Sequence, residues 1–136
     1  MDDDIILEIH INLNKIDPTM QGLQDPILCP VRKFRRVGNP FVLILCTGNY
    51  HWVCISSVGC SDGIVNLYDS LYHNVISKEV EEQAINLVGA DSFSSLNVVP
   101  IQQQRNGSDC GFFAAAFATA LVHGVPLACW SLILLN

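Results

Sequence analysis

Gln102-Gln103-Gln104-Arg105-Asn106-Gly107-Ser108-Asp109-Cys110-Gly111-Phe112-Phe113-Ala114-Ala115-Ala116-Phe117 is the stretch that decides the reading of this chain. Its first half is polar and turn-forming, with Asn106-Gly107 as the turn and Ser108 or Asp109 placed to cap a helix. Its second half is that helix, apolar on every side, which belongs in the interior of a fold. Cys110 stands at the junction, near the positive end of the helix macrodipole, where a thiolate is favoured over a thiol. Gly107 and Gly111 leave room for close approach of backbone or substrate. Asp109 pulls the other way, because an adjacent carboxylate disfavours a thiolate unless it points elsewhere.

Working outward, Phe41 to Cys46 is a continuous apolar run and Thr47-Gly48-Asn49 turns it. His51 to Val58 is a second strand, followed by a Ser61-Asp62-Gly63 turn, and Ile64 to Tyr68 is a third. Runs this apolar suit strands covered on both faces. Ser77 to Val88 reads as a helix with Val80, Ala84, Leu87 and Val88 on one face, and Leu96 to Ile101 as a fourth strand. Asp4 to Asn14 forms an N-terminal helix, apolar at Ile5, Ile6, Ile9 and Leu13. Asp17-Pro18, Gln21-Gly22 and Asp25-Pro26 mark the turn-rich connection after it. The order is helix, three strands, helix, strand, helix. This is an α+β domain in which a small mixed sheet packs on a central buried helix that starts at Cys110.

The chain has 136 residues, half of them hydrophobic and 15% charged, which fits one domain spanning residues 1–136 and argues against disorder. A formal net charge of −6 excludes a general nucleic-acid binder. The one basic cluster, Arg32-Lys33-Phe34-Arg35-Arg36, reads as a solvated loop. The acidic start Met1-Asp2-Asp3-Asp4 is unlike a signal peptide, so the six cysteines (Cys29, Cys46, Cys54, Cys60, Cys110 and Cys129) are expected to be reduced in an intracellular setting, nucleus or cytoplasm. Cys46, His51, Cys54 and Cys60 match no zinc spacing, and neither a metal nor a cofactor is expected. The apolar run from Phe112 to Leu135 is long enough to span a bilayer, but Gly124 and Pro126 interrupt it. A buried helix ending near Gly124 is the simpler reading, with no membrane partner.

Two residues upstream complete a chemical set with Cys110. His51 begins a strand after a turn, so its ring can project from the strand end. Asp69 follows an apolar strand, 18 residues after His51. A base, an acid to orient it and a dipole-activated sulfur are the parts of a cysteine hydrolase. Each residue alone has a bland alternative: an exposed histidine, a turn-forming carboxylate, a small core thiol. Trp52 alternates to the opposite face from His51 and suits the core.

Together, His51-Trp52, Tyr68-Asp69-Ser70 and Gln104-Arg105-Asn106-Gly107-Ser108-Asp109-Cys110-Gly111 resemble the ubiquitin-like-protein-specific proteases, the SUMO-deconjugating cysteine peptidases with the adenovirus-protease-like fold. The order of His, Asp, Gln and Cys is opposite to papain's, though the superfold is papain-like. The resemblance covers residues 41–122 and extends to branches associated with mobile elements. It implies that His51 and Asp69 activate Cys110, that the Gln104 amide and the Cys110 N–H hold the oxyanion, and that Trp52 helps cover a narrow substrate tunnel. Gln102 and Gln103 are alternatives for the oxyanion role, but Gln104 has the family's offset of six residues from the cysteine. The implied partner is a ubiquitin-like modifier or its conjugate, cleaved after a C-terminal diglycine through a thioester. An alternative is a shortened, inactive relative that binds such a modifier or a peptide. The chain has no second tryptophan upstream of His51, Trp130 does not replace it, and residues 125–136 match no family element.

Overall fold

The computed structural model describes residues 2–28, 34–47 and 51–125. Helix α1 (Asp3–Ile16) is followed by a 3-10 turn (Pro26–Leu28), and then by strands β1 (Val42–Cys46), β2 (Trp52–Ser56) and β3 (Ile64–Tyr68). Helix α2 (Lys78–Val88), strand β4 (Ser95–Val98) and helix α3 (Cys110–His123) complete the order expected from the sequence. The sheet runs β1-β2-β3-β4, antiparallel across its first three strands and parallel between β3 and β4. A parallel pair needs a crossover, and α2 supplies it. The α+β expectation therefore holds.

Period-two alternation assigns each strand residue to a face. Val42, Ile44, Trp52, Cys54 and Tyr68 join α1 and α3 in one cluster, with Ile6, Leu13, Cys110, Phe113, Ala114 and Phe117. Phe41, Leu43, Leu45, Val53, Ile55, Val65 and Leu67 form a second cluster with Val80, Ala84 and Leu87 of α2. Helices thus cover both faces, which is why β1 and β2 read as unbroken apolar runs rather than alternating ones. Phe117, 1% exposed, packs on the rings of Tyr68 and Phe113 at centroid distances of 6.1 Å.

The inward face of α1 differs from the apolar pattern in its sequence. Its buried residues are Ile6, His10 and Leu13, while Ile5 is exposed. His10 is wholly buried because both ring nitrogens are satisfied: Nδ1 meets the Gln24 carbonyl at 2.7 Å, and Nε2 accepts the Ile44 amide at 3.1 Å. Since a carbonyl only accepts, Nδ1 carries the proton and the ring is neutral. His10 therefore pins α1 to β1 by hydrogen bonds where a hydrocarbon was expected. The Asp2 side chain caps α1, accepting the Ile5 amide at 3.1 Å.

Element ends also follow local chemistry. β4 stops at Val98, short of the expected Ile101, with Val99 N–H making a last bond to the Leu67 carbonyl before Pro100, which has no N–H to give. Gly124, left-handed at φ 69°, closes α3 by donating to the Ala120 and Leu121 carbonyls. Among the described residues no helix is long and apolar enough to cross a membrane. The basic cluster is only partly a solvated loop. Phe34 is buried, and Arg36 donates to the Val88 carbonyl and to Asp91 beyond the end of α2. Arg32 and Lys33, like Cys29, Gly48, Asn49, Pro126, Cys129 and Trp130, lie outside the described residues.

Candidate active site

The antiparallel register of β2 and β3, with Cys54 opposite Tyr68, sets the start of one strand beside the end of the other. His51 immediately precedes β2 and Asp69 immediately follows β3, so residues distant in sequence meet at the same sheet end. His51 Nε2 lies 2.6 Å from Asp69 Oδ1, and both side chains are mostly buried. Asp69 Oδ1 also accepts the Leu71 amide at 2.9 Å, which fixes the carboxylate independently of the ring.

Helix α3 packs on the same sheet face and presents its first residue, Cys110, 7% exposed, at this sheet end. His51 and Cys110 interact, and each favours the charged form of the other. Because Nε2 is committed to Asp69, Nδ1 is the nitrogen that faces the sulfur. The three groups that the sequence set apart are therefore brought together in the order sulfur, imidazole, carboxylate.

Their electrostatics reinforce one another. Burial alone raises the Cys110 pKa, but backbone N–H groups of Trp52 and Gly111 and the His51 side chain outweigh it, leaving the thiol below its ordinary value. His51 is raised, chiefly by its bond to Asp69, against burial and with further help from Cys110. Burial raises Asp69, yet its bonds to His51 and to the Leu71 N–H prevail and the carboxylate is held below its usual range. A lowered thiol beside a raised imidazole favours the thiolate–imidazolium pair.

Asp109, the cap residue of α3, makes no side-chain cap bond. Its carboxylate instead accepts from Asn106 Nδ2 at 2.9 Å, and so is held by the loop away from the capping position. Asn106 organises this loop: its Oδ1 accepts the amides of Ser108 and Asp109 and the Ser108 hydroxyl. The expected cap chemistry is thus replaced by an Asn-centred turn.

The three glutamines have different partners. Gln104, 7% exposed, donates from Nε2 to the Asn106 carbonyl at 2.6 Å and accepts the Ser70 hydroxyl on Oε1 at 2.5 Å. Gln103 is committed elsewhere: Oε1 accepts the Tyr72 amide, and Nε2 donates to the Asp69 carbonyl. It ties the loop after β3 to the loop before α3, and with Nε2 also 3.4 Å from the Ile101 carbonyl both of its N–H groups are engaged. Gln102 Oε1 is buried and has no hydrogen-bond partner among the described residues. Trp52 is 5% exposed, its side chain in the core cluster with Cys110 while its backbone N–H faces the sulfur. Sequence reasoning missed Ser70 and Asn106 as organisers. Their adjacency to Asp69 and their place in the turn before Cys110 were visible, but their partners lie across a turn or 34 residues away.

The other described cysteines have different surroundings. Cys54 lies in the core, where burial pushes its thiol pKa up, and burial likewise raises Cys60. Among the described residues no cluster of His, Cys, Asp and Glu is arranged to hold a metal ion.

Comparison with known proteins gives a consistent result. The chain is similar to the C-terminal Ulp1 protease domain solved in complex with Smt3, the yeast ortholog of SUMO. That match has a TM-score of 0.65 and 18% identity, covering 93% of this chain and 67% of that one. The SUMO protease Ulp1 with its catalytic cysteine oxidised to a sulfenic acid matches at TM-score 0.60 and 19% identity, over 93% and 68% of the two chains. The Ulp1-like SUMO protease catalytic domain of Chaetomium thermophilum matches at 0.58 and 23%, over 94% and 64%. No curated protein matches the sequence. The Ulp1 protease family, C-terminal catalytic domain, matches residues 41–131, past the expected limit of 122 and into the segment from 125 that was expected to match no family element. With more than half of its length matched, the chain belongs to the Ulp1 protease family.

Proposed function

We propose that this chain is a thiol protease that cleaves after the C-terminal diglycine of a ubiquitin-like modifier, with Cys110 as nucleophile. The observation that carries the reading is the His51 ring, held by Asp69 at 2.6 Å on one nitrogen and turned to Cys110 with the other. Family membership supports proteolysis, and the Smt3 complex of a protein with the same fold supports a SUMO-type partner. Cysteines free of disulfides among the described residues suit a reducing compartment, nucleus or cytoplasm.

Each role has its step. The Cys110 thiolate attacks the glycine carbonyl, forming a C–S bond and moving an electron pair onto oxygen. One N–H of the Gln104 side chain and the Cys110 backbone N–H hold that oxyanion. His51 then gives its proton to the leaving amine, and a thioester remains. Water, deprotonated by His51, displaces the sulfur and releases the modifier's carboxylate. Asp69 keeps the ring oriented and stabilises its charged form. Trp52 supplies an apolar wall beside the nucleophile, which favours small residues in the substrate.

The test is hydrolysis of SUMO-type and other ubiquitin-like modifiers carrying a C-terminal fluorogenic amide, by the wild-type chain and Cys110→Ala. Release by the wild type alone is expected. Equal release by both, or binding without release by a folded wild type, contradicts the proposal, and the second outcome indicates an inactive binding module.

A further inference from the structure

We infer that Ser70 is a positioning residue that sets the oxyanion donor, so that the turn after β3 orients both the base and the oxyanion hole. The inference rests on the protease reading of this site. Asp69 holds His51, and the next residue, Ser70, holds Gln104 twice. Its hydroxyl donates to Gln104 Oε1 at 2.5 Å, and its carbonyl accepts the Gln104 backbone N–H at 2.7 Å. Ser70 is 1% exposed and Gln104 7%, so water does not readily replace either partner.

The orientation of the Gln104 carboxamide is fixed by its neighbours. The atom 2.6 Å from the Asn106 backbone oxygen has to be the nitrogen, because a carbonyl only accepts. Oε1 then faces Ser70, whose hydroxyl has to be the donor. Nε2 carries two protons and gives one to Asn106, which leaves one N–H uncommitted for the oxyanion. Removing the Ser70 hydroxyl strips a buried carbonyl of its donor. The carboxamide is then held by the Asn106 bond alone, and its second N–H is no longer fixed in one direction. Gln103 reinforces the same junction through the Asp69 carbonyl and the Tyr72 backbone N–H, which ties the two loops at a second point.

Two reactions of Cys110 separate this role from a merely structural one. With p-nitrophenyl acetate, the thiolate adds to the carbonyl, an oxyanion forms, and collapse expels p-nitrophenolate and leaves a thioester. With iodoacetamide, sulfur displaces iodide and no oxyanion arises. Both need the thiolate, but only the first needs Gln104. The experiment measures both rates for the full chain, subtracting Cys110→Ala, in wild type, Ser70→Ala, Gln104→Ala and the double variant.

Ser70→Ala should slow acylation about tenfold, less than the ~10²-fold expected of losing the donor outright, while alkylation stays within about twofold. The double variant should acylate like Gln104→Ala alone. Undiminished acylation in Ser70→Ala overturns the inference. So does an equal loss in alkylation, which places Ser70 behind His51 and Asp69, or a further loss in the Gln104→Ala background. Ser70-dependent acylation with no modifier cleaved sinks the substrate reading and leaves this inference standing. Modifier cleavage with Ser70→Ala unimpaired does the reverse. No Cys110-dependent acylation in the wild type overturns both.

Discussion

Replacing His10 by Gln should change the pH dependence of stability, not only its size. His10 is wholly buried between α1 and β1, and its pKa is lowered from 6.5 to about 4. Burial is the main cause, offset in part by the Gln24 carbonyl and by Asp25. A base whose pKa is depressed in the folded state binds fewer protons there than in the unfolded chain. Above pH 6.5 both states are deprotonated and the group adds no pH dependence. As pH falls from 6.5 towards 4 the unfolded chain takes up a proton that the fold resists, and stability falls. The full loss is about 3 kcal/mol, of which about 2 kcal/mol arises between pH 6.5 and 5. Urea unfolding of wild type and His10→Gln at pH 7, 6 and 5 isolates this component, because the other groups titrate in both proteins. The wild type should lose about 2 kcal/mol more than the variant across that window. In the folded wild type, NMR should show the His10 ring neutral with Nδ1 protonated down to pH 5. Parallel stability curves, or a ring that titrates near its ordinary pKa, would refute the reasoning.

Other consequences concern the site and its supports. Asp69→Asn should lower kcat/KM by about 10²–10⁴ through loss of the oriented, charge-stabilised ring, and should shift Cys110 alkylation to higher pH, as iodoacetamide rates against pH will show. In the wild type that alkylation should persist below the pH at which a model thiol ceases to react, because the Cys110 pKa is lowered. Gln104→Ala should cost about 10²–10³ in kcat with KM little changed, measured on a fluorogenic modifier amide. Phe117→Ala should destabilise by about 3–5 kcal/mol in urea unfolding, since the ring fills the junction of α3 with the sheet. Gly63→Ala should also destabilise by unfolding assay, because at φ 80° a Cβ there would lie 2.6 Å from the Ser92 carbonyl.

Much of the fold was legible because the sheet is buried on both sides. Apolar runs at 41–46 and, apart from Asn66, at 64–68 point to buried strands, and the polar turn before Cys110 points to a helix start. What escaped depends on partners that no local pattern encodes. His10 looks like an ordinary polar residue on a helix, and only the Gln24 carbonyl and Ile44 amide make it a core position. Gln103 and Gln104 are adjacent and identical in type, yet one clasps the Asp69 loop while the other keeps an N–H uncommitted. Asp109 was weighed against a thiolate by adjacency alone, and its bond to Asn106 resolves that conflict. The His51–Asp69 pairing was legible only through the family resemblance of the motifs around them, and the antiparallel register of β2 and β3 is what brings the two strand ends together.

The most direct test of the central claim is intact mass after incubation with ubiquitin-like modifiers carrying a C-terminal thiol-reactive group. The wild-type chain should gain the mass of one modifier, SUMO-type first, and Cys110→Ala should gain none. A folded wild type that stays unmodified by every modifier, or an adduct that persists in Cys110→Ala, contradicts the account.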